Sequence, residues 1–358
     1  VVTYSSGTGT STLTFDYTVA AGHTSSDLDY ASTSSLGLPA VPNPGTPVYK
    51  DTSGNALSVT VVGNYAYLAD QSSGLAIIDI SNPASPGAPV YKRVSNTEDV
   101  TVVGNYAYLA NDAGLAIIDI SDPTNPGNPV YKDTNGYARG IEVVGNYAYI
   151  ADGGSGLAII DISDPTSPGT PVYKDTSGYA YGLTVMGNYA YVADGASGLA
   201  IINVSNPTIP GNPLYVDTSG YAANTTIQGN YAYVSDGSAG VAIIDISNPA
   251  SPGSPINSSP NGSFIGETKV VGNYAYVATG SFGMAIIDVT DPTNPGSISY
   301  VSTTDNARSI NVLGGYAYVA DDGSGLAVIP LNMALVQDAA GNNATLTLAS
   351  PGTVSYTH

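Results

Sequence analysis

The chain of 358 residues has no cysteine and no tryptophan, only two histidines, and eight lysines and arginines together. Without cysteine there is no disulfide framework, no thiol nucleophile and no thiolate metal site. That absence is compatible with the outside of a bacterial cell, where secreted proteins need not use disulfides. The two histidines, His23 and His358, lie towards the ends of the chain, so a Ser/His/Asp arrangement in the long middle lacks its base. Eight basic residues against 28 acidic ones give a formal net charge of −20. A phosphate-neutralising surface is excluded, and nucleic-acid binding with it. No run of about 18 apolar residues occurs, so no stretch reads as a membrane-spanning helix. No signal peptide is legible, so export is expected to be encoded outside this stretch of a longer protein.

What the chain does contain is a beat. Gly-Asn-Tyr-Ala-Tyr stands at Gly63–Tyr67, Gly104–Tyr108, Gly145–Tyr149, Gly187–Tyr191, Gly229–Tyr233 and Gly272–Tyr276, with Gly-Gly-Tyr-Ala-Tyr at Gly314–Tyr318. The spacings are 41, 41, 42, 42, 43 and 42 residues. Each unit holds four short runs rich in β-branched and aromatic residues. Gly, Asn, Asp or Pro bounds each run, and the prolines fall between runs. In the third unit these are Ile141–Val144, Tyr147–Asp152, Leu157–Ile162 and Val172–Lys174. No stretch shows a helical period. Four strands in a unit of this length is the size of a β-propeller blade, and seven units predict seven blades.

The ends predict how the ring closes. The last unit has three strand signals, at Ser309–Leu313, Tyr316–Ala320 and Leu326–Ile329, and no Pro-Val-Tyr-Lys run after Pro330. That run stands instead at Pro47–Lys50, ahead of the first complete unit. The segment Thr46–Thr52 is expected to supply the outer strand of the seventh blade, leaving no open edge there. Tyr-Ala-Tyr-Val-Ala-Asp followed by Ser-Gly-Leu-Ala-Ile-Ile-Asp-Ile-Ser-Asn/Asp-Pro resembles the signature of LVIVD-repeat propellers. The resemblance covers residues 39–331.

Residues 1–38 and 332–358 lack the repeat. Thr12–Val19 and Ala344–Leu348 alternate as half-buried strands do. With the propeller removed, the joined flanks resemble the C-terminal half of an immunoglobulin-like module of large, RTX-type bacterial surface adhesins. The resemblance rests on Leu13–Gly22, Ser26–Ala31 and Asp338–Leu348. It implies an all-β chain: a seven-bladed propeller inserted into a small split β-sandwich, on the bacterial cell surface and monomeric within a longer polypeptide. It also implies calcium, with Asp27, Asp29 and Asp338 as the candidate ligands, since calcium takes six to eight hard oxygens.

Seven copies separate what the scaffold needs from what it tolerates. Asp79, Asp119, Asp161, Asp245 and Asp288 recur at one place, with Asn203 in another copy, and Asp70, Asp152, Asp194, Asp236 and Asp321 recur at a second. Recurrence points to turn capping in the scaffold. The Tyr-Ala-Tyr pairs supply half of the 28 tyrosines and read as packing between blades. The copies disagree just before each Gly-Asn-Tyr-Ala-Tyr, where the first strand begins. There stand Asn55 and Leu57, then Glu98 and Asp99, Tyr137 and Arg139, Tyr179 and Tyr181, Tyr221 and Asn224, Phe264 and Glu267, and Asn306 and Arg308. The same strand then becomes nearly uniform, mostly Val-Val.

Drift at unconstrained loop positions predicts small polar residues, whereas these include large aromatics and charges. The first strand of a blade lines the channel, so the divergent residues are expected to ring one mouth of it and bind a ligand. Tyrosine faces with Asn, Asp and Arg suit a glycan or a peptide end on a host or biofilm surface. The alternatives are a spacer or protein–protein platform without a small-ligand site, and a polysaccharide hydrolase or lyase built on paired carboxylates such as Glu98, Asp99 and Glu267. The enzyme reading is the weaker for want of a histidine, and the expectation is a binding protein without turnover.

Overall fold

A computed structural model of the chain describes residues 3–6, 14–16, 42–262 and 266–331. The chain divides into two compact units, Gly45–Pro330 and the joined ends Val1–Pro44 with Leu331–His358. In the second of these, Thr3–Ser6 pairs antiparallel with Thr14–Asp16. The rest of the expected immunoglobulin-like module, and the candidate calcium ligands Asp27, Asp29 and Asp338, lie outside the described residues.

The larger unit is a seven-bladed propeller of four-stranded antiparallel sheets. Blade 1 runs Ser58–Val62, Tyr65–Ala69, Leu75–Asp79 and Val90–Lys92. Blade 2 begins at Thr97–Val103, blade 3 at Gly140–Val144 and blade 4 at Gly182–Met186. Blades 5 and 6 begin at Asn224–Gln228 and Thr268–Val271. Blade 7 takes its first three strands from Ser309–Leu313, Tyr316–Ala320 and Leu326–Pro330. Its fourth is Val48–Lys50, with Val48 opposite Val328, Tyr49 opposite Ala327 and Lys50 opposite Leu326. Gly45 N–H donates to the Pro330 carbonyl, 2.7 Å, just beyond that ladder. The displaced Pro-Val-Tyr-Lys run thus closes the ring as its position in the sequence predicts.

The strand sequences follow from where each strand sits. The third strands read Leu-Ala-Ile-Ile without alternation because both faces of a blade are covered by neighbouring blades. Leu75 and Ile77 pack on Ala107, Leu109 and Ile118 of blade 2. Ala76 and Ile78 pack on Tyr318, Leu326 and Val328 of blade 7. The core is therefore a set of layers between blades, in which a large side chain such as Tyr67 meets small ones such as Ala107 and Ala116. First and second strands are joined by a two-residue loop whose glycine has positive φ, from 57° to 61° in all seven copies. Nothing lies near a Cβ built on Gly63, so the glycine is needed for its backbone conformation and not for space.

Recurring polar groups fasten one blade to the next. Asp70, Asp152, Asp194 and Asp236 are fully buried at the ends of second strands. They accept hydrogen bonds from Thr52, Thr134, Thr176 and Thr218 at 2.6–2.7 Å, each of which follows the outer strand of the preceding blade. Burial raises the pKa of all four carboxyls. Asp79, Asp119, Asp161 and Asp245 are exposed and cap turns, as Asp79 does by accepting from Ser81 N–H at 2.8 Å, and backbone hydrogen bonds of this kind lower those four carboxyls. On the rim, Tyr91, Tyr215 and Tyr300 hydroxyls accept backbone N–H groups of Ser53, Ser177 and Asn261 at 2.7–2.9 Å.

Candidate ligand-binding site at the channel mouth

The first strand of every blade is an inner edge. One side of its backbone has no partner in its own sheet, and those groups need another. Side chains of neighbouring blades supply it. Thr60 Oγ1 donates to the Val100 carbonyl at 2.8 Å and Thr184 Oγ1 to the Thr225 carbonyl at 2.6 Å. Three carboxylates do the same for N–H groups. Asp99 accepts from Ile141 N–H at 2.9 Å, from Ser58 Oγ at 2.6 Å and from Val100 N–H at 2.8 Å, so it ties blades 1, 2 and 3. Glu142 Oε2 accepts from Val185 N–H of blade 4 at 2.7 Å. Glu267 Oε2 accepts from Ser309 Oγ of blade 7.

Above this inner edge lies a cavity of about 300 Å³ to which all seven blades contribute. It is lined by Leu57, Glu98, Asp99, Arg139, Tyr181, Tyr221, Asn224, Glu267 and Arg308, with Ser58, Ser309, Ala223 and glycines between them. Nine of the residues singled out in the sequence thus meet in one place. Four others stand beside the lining. Tyr137 is 55 % exposed, with the Arg139 guanidinium 6.0 Å from its ring centre. Tyr179 packs against Tyr181 with ring centres 4.9 Å apart. Asn306 bonds to Asp305 Oδ1, and Asn55 is exposed on the approach. Phe264 lies outside the described residues.

The mouth has two characters. On one side are tyrosines: Tyr181 and Tyr221 meet edge to face, ring centres 5.3 Å apart, with their hydroxyls 2.8 Å apart. Burial and the Tyr221 hydroxyl push the Tyr181 phenol up to about 12, so it is neutral and able to donate. On the other side are ion pairs. Arg139 Nη1 is 2.9 Å from Glu98 Oε1. Arg308 holds Asp322 Oδ2 through Nη2 at 2.7 Å and Nε at 3.1 Å.

A second chamber of about 390 Å³ continues below, sharing Ser58, Asp99, Asn224 and Glu267 with the mouth. Its lining includes Thr60, Thr101, Glu142, Thr184, Thr226, Lys269 and Asn311, one residue from each blade at the same place in the repeat. This ring was not legible as a site, because the Val-Val residues around it look uniform. The signal was there: between mostly apolar neighbours, one column reads Thr, Thr, Glu, Thr, Thr, Lys, Asn. Burial drives Glu142 and Glu267 up to about 7, opposed by their hydrogen bonds and by the charge of Lys269, and Asp99 adds to the rise in both. Asp99 is itself raised by burial against its three hydrogen bonds. At the far ends of the same strands, Val62, Val103, Val144, Met186 and Leu313 are 39–44 % exposed, an apolar ring at the opposite mouth. Among the described residues, no three His, Asp or Glu side chains come together as a metal-ligand set.

The repeat itself decides the family. The LVIVD repeat matches at residues 53–88, 95–128, 135–172, 177–218, 219–255, 266–303 and 305–330. The chain belongs to the LVIVD-repeat family. No curated protein matches it. Among solved structures, this LVIVD propeller is similar to the WD40 repeats of RRP9, with TM-score 0.67 and 8 % identity over 82 % of this chain and 100 % of that one. It is similar to the computationally designed Ika8 protein, with TM-score 0.59 and 8 % identity over 78 % and 97 %. BamB from Moraxella catarrhalis gives TM-score 0.55 and 14 % identity over 81 % and 97 %. At such identities the likeness is one of fold.

Proposed function

We propose that this chain is a ligand-binding propeller of the bacterial cell surface. It is carried within a split immunoglobulin-like module of a longer adhesin and takes a glycan or a peptide end at the channel mouth, without turnover. One observation carries the reading. Nine of the positions at which otherwise matched blades differ line a single cavity, and every blade contributes to it. The tyrosine wall offers rigid contact area and the Arg139–Glu98 pair offers directional hydrogen bonding, the two parts a small recognition site needs. Modest single-site affinity suffices, because many copies on one cell multiply it.

A glycan and peptide array on the full chain tests the reading. For a ligand so found, Tyr181→Ala or Arg139→Ala is expected to weaken binding about thirtyfold, the size of a typical hot spot. Binding that survives both changes and disappears on Val103→Asp, at the opposite mouth, would move the site elsewhere.

A second reading, a polysaccharide hydrolase or lyase, is favoured by Glu142 and Glu267, whose carboxyls near 7 fall in the range of a general acid or base. Incubating each array ligand with the protein and measuring new reducing or unsaturated ends separates the two. Turnover abolished by Glu267→Gln would establish the enzyme.

A further inference from the structure

We infer that the channel seats a primary alkylammonium group, with the tyrosine-lined mouth as vestibule and the chamber beneath as the seat. The inference rests on the ligand-binding reading of this site and names its ligand chemistry. The two cavities adjoin: Ser58, Asp99, Asn224 and Glu267 belong to both. A chain entering the mouth passes Leu57, Ala223 and the Tyr181–Tyr221 pair, which suit a methylene stem, and then reaches a chamber rich in acceptors.

Charge selects the sign of the ligand's tip. The two arginines of the mouth are engaged, Arg139 with Glu98 and Arg308 with Asp322. Below them Lys269 is the one cation of the lining, facing Asp99, Glu142 and Glu267, so once the two glutamates ionise, above about pH 7, the seat carries an excess of negative charge. The only glutamates of the whole chain, Glu98, Glu142 and Glu267, all lie along this channel.

Geometry selects the kind of cation. The carboxylates stand on blades 2, 3 and 6 and do not gather into a metal-ligand set. A planar guanidinium fork wants both oxygens of one carboxylate free, and both Asp99 oxygens already accept hydrogen bonds. An ammonium has three divergent donors on a compact head, which suits acceptors spread around a ring. Such a head comes from a lysine side chain of a peptide or from a small free amine.

The test is calorimetric titration of the full chain with three probes: acetyl-Gly-Lys-Gly-amide, the same peptide acetylated on the lysine Nζ, and cadaverine. At least one of the two amines is expected to bind, and the acetylated peptide at least about tenfold more weakly than its parent, for loss of a desolvated charge pair. Cadaverine binding as tightly as the lysine peptide assigns a small amine; the peptide binding more tightly assigns a lysine side chain. Glu142→Gln and Glu267→Gln, which keep an oxygen for the backbone N–H, are each expected to weaken the amine about tenfold. Lys269→Met is expected to tighten it severalfold, a gain that misfolding cannot mimic. No binding of either amine, an acetylated peptide that binds as well as its parent, or affinities indifferent to Glu142, Glu267 and Lys269 would each overturn the inference. If an array ligand lacking an amine depends on Tyr181 while both amines fail, the mouth remains the site and the ammonium seat is wrong. If neither the array nor the amines give binding, both readings fall.

Discussion

Two sets of carboxylates sit in this ring under the same penalty of burial, and they behave as different kinds of part. Asp70, Asp152, Asp194 and Asp236 occupy one position of four blades, each accepting a threonine hydroxyl from the blade before. Asp99 and Glu267 share one place in the repeat and Glu142 holds another; the remaining blades carry Ser, Gly or Asn at the first and Thr, Lys or Asn at the second. In both sets desolvation is the leading cause of a raised pKa. A group that returns in blade after blade with the same partner is serving the joint between blades. A group that appears in only one or two blades, where serine, threonine or glycine suffices elsewhere, is not required by the joint, although it takes part in one.

The largest effect expected concerns the ring on which both sets depend. Deleting residues 39–52 removes the outer strand of blade 7 together with Thr52, the partner of Asp70. The exposed edge is expected to abolish cooperative melting and to cause aggregation in size-exclusion chromatography. A monomer with unchanged melting temperature would refute closure by this strand.

The comparison is next sharpened by breaking one clasp. Asp194→Ala leaves the Thr176 hydroxyl and the Gly178 N–H without their acceptor in a fully buried place. A loss of about 2 kcal/mol in urea-induced unfolding is expected. A loss no larger than that of Glu142→Gln would erase the distinction between clasp and channel.

A smaller, pH-dependent effect separates the two sets by their titration. The folded protein keeps Glu142 and Glu267 protonated up to about 7, and Asp236 up to about 6, whereas the unfolded chain releases those protons near 4.5 and 3.8. The folded state therefore binds more protons within those windows, and stability falls as pH rises through them. Replacing Glu142 and Glu267 by glutamine is expected to remove their share of the fall, from about 4.5 to about 7, and to leave only the share of Asp236, which ends near 6. Urea midpoints across this range read it directly. A wild-type midpoint that rises from pH 5 to pH 7 would contradict the sign.

The smallest effect is expected where function is placed. Tyr181→Ala at the partly exposed mouth is expected to change folding stability by no more than about 0.5 kcal/mol, as at ordinary surface positions. Thermal unfolding measures it. A loss comparable to that of Asp194→Ala would make Tyr181 part of the scaffold through its contacts with Tyr179 and Tyr221.

The fold was largely legible because it repeats. One period set the number of blades, and a single Pro-Val-Tyr-Lys run out of place, at Pro47–Lys50, showed how the ring closes. The mouth was legible in part, since residues that differ among matched copies mark positions that packing leaves open. Glu142 and Lys269 were missed because Glu142 lies between apolar neighbours and Lys269 just before Val270-Val271, on a strand whose later residues hardly vary. Tyr137 and Tyr179 belong to the same variable segment as Arg139 and Tyr181, yet they stand beside the lining, in the loop that leads into the first strand, where no strand geometry fixes which side a residue faces.

The sequence by itself determined the repeated unit, its strands and the closing strand, because these rest on local pattern; that the Asp70 set clasps the preceding blade, where turn capping was expected, came from the structure. Only the tertiary structure decided which divergent residues share a cavity. Glu98 and Arg139 pair across neighbouring blades, whereas Asp99 and Glu267 line one channel from blades 2 and 6. Residues so far apart in the chain are brought to a common axis by closure of the ring, a property of all seven blades together and of no single one.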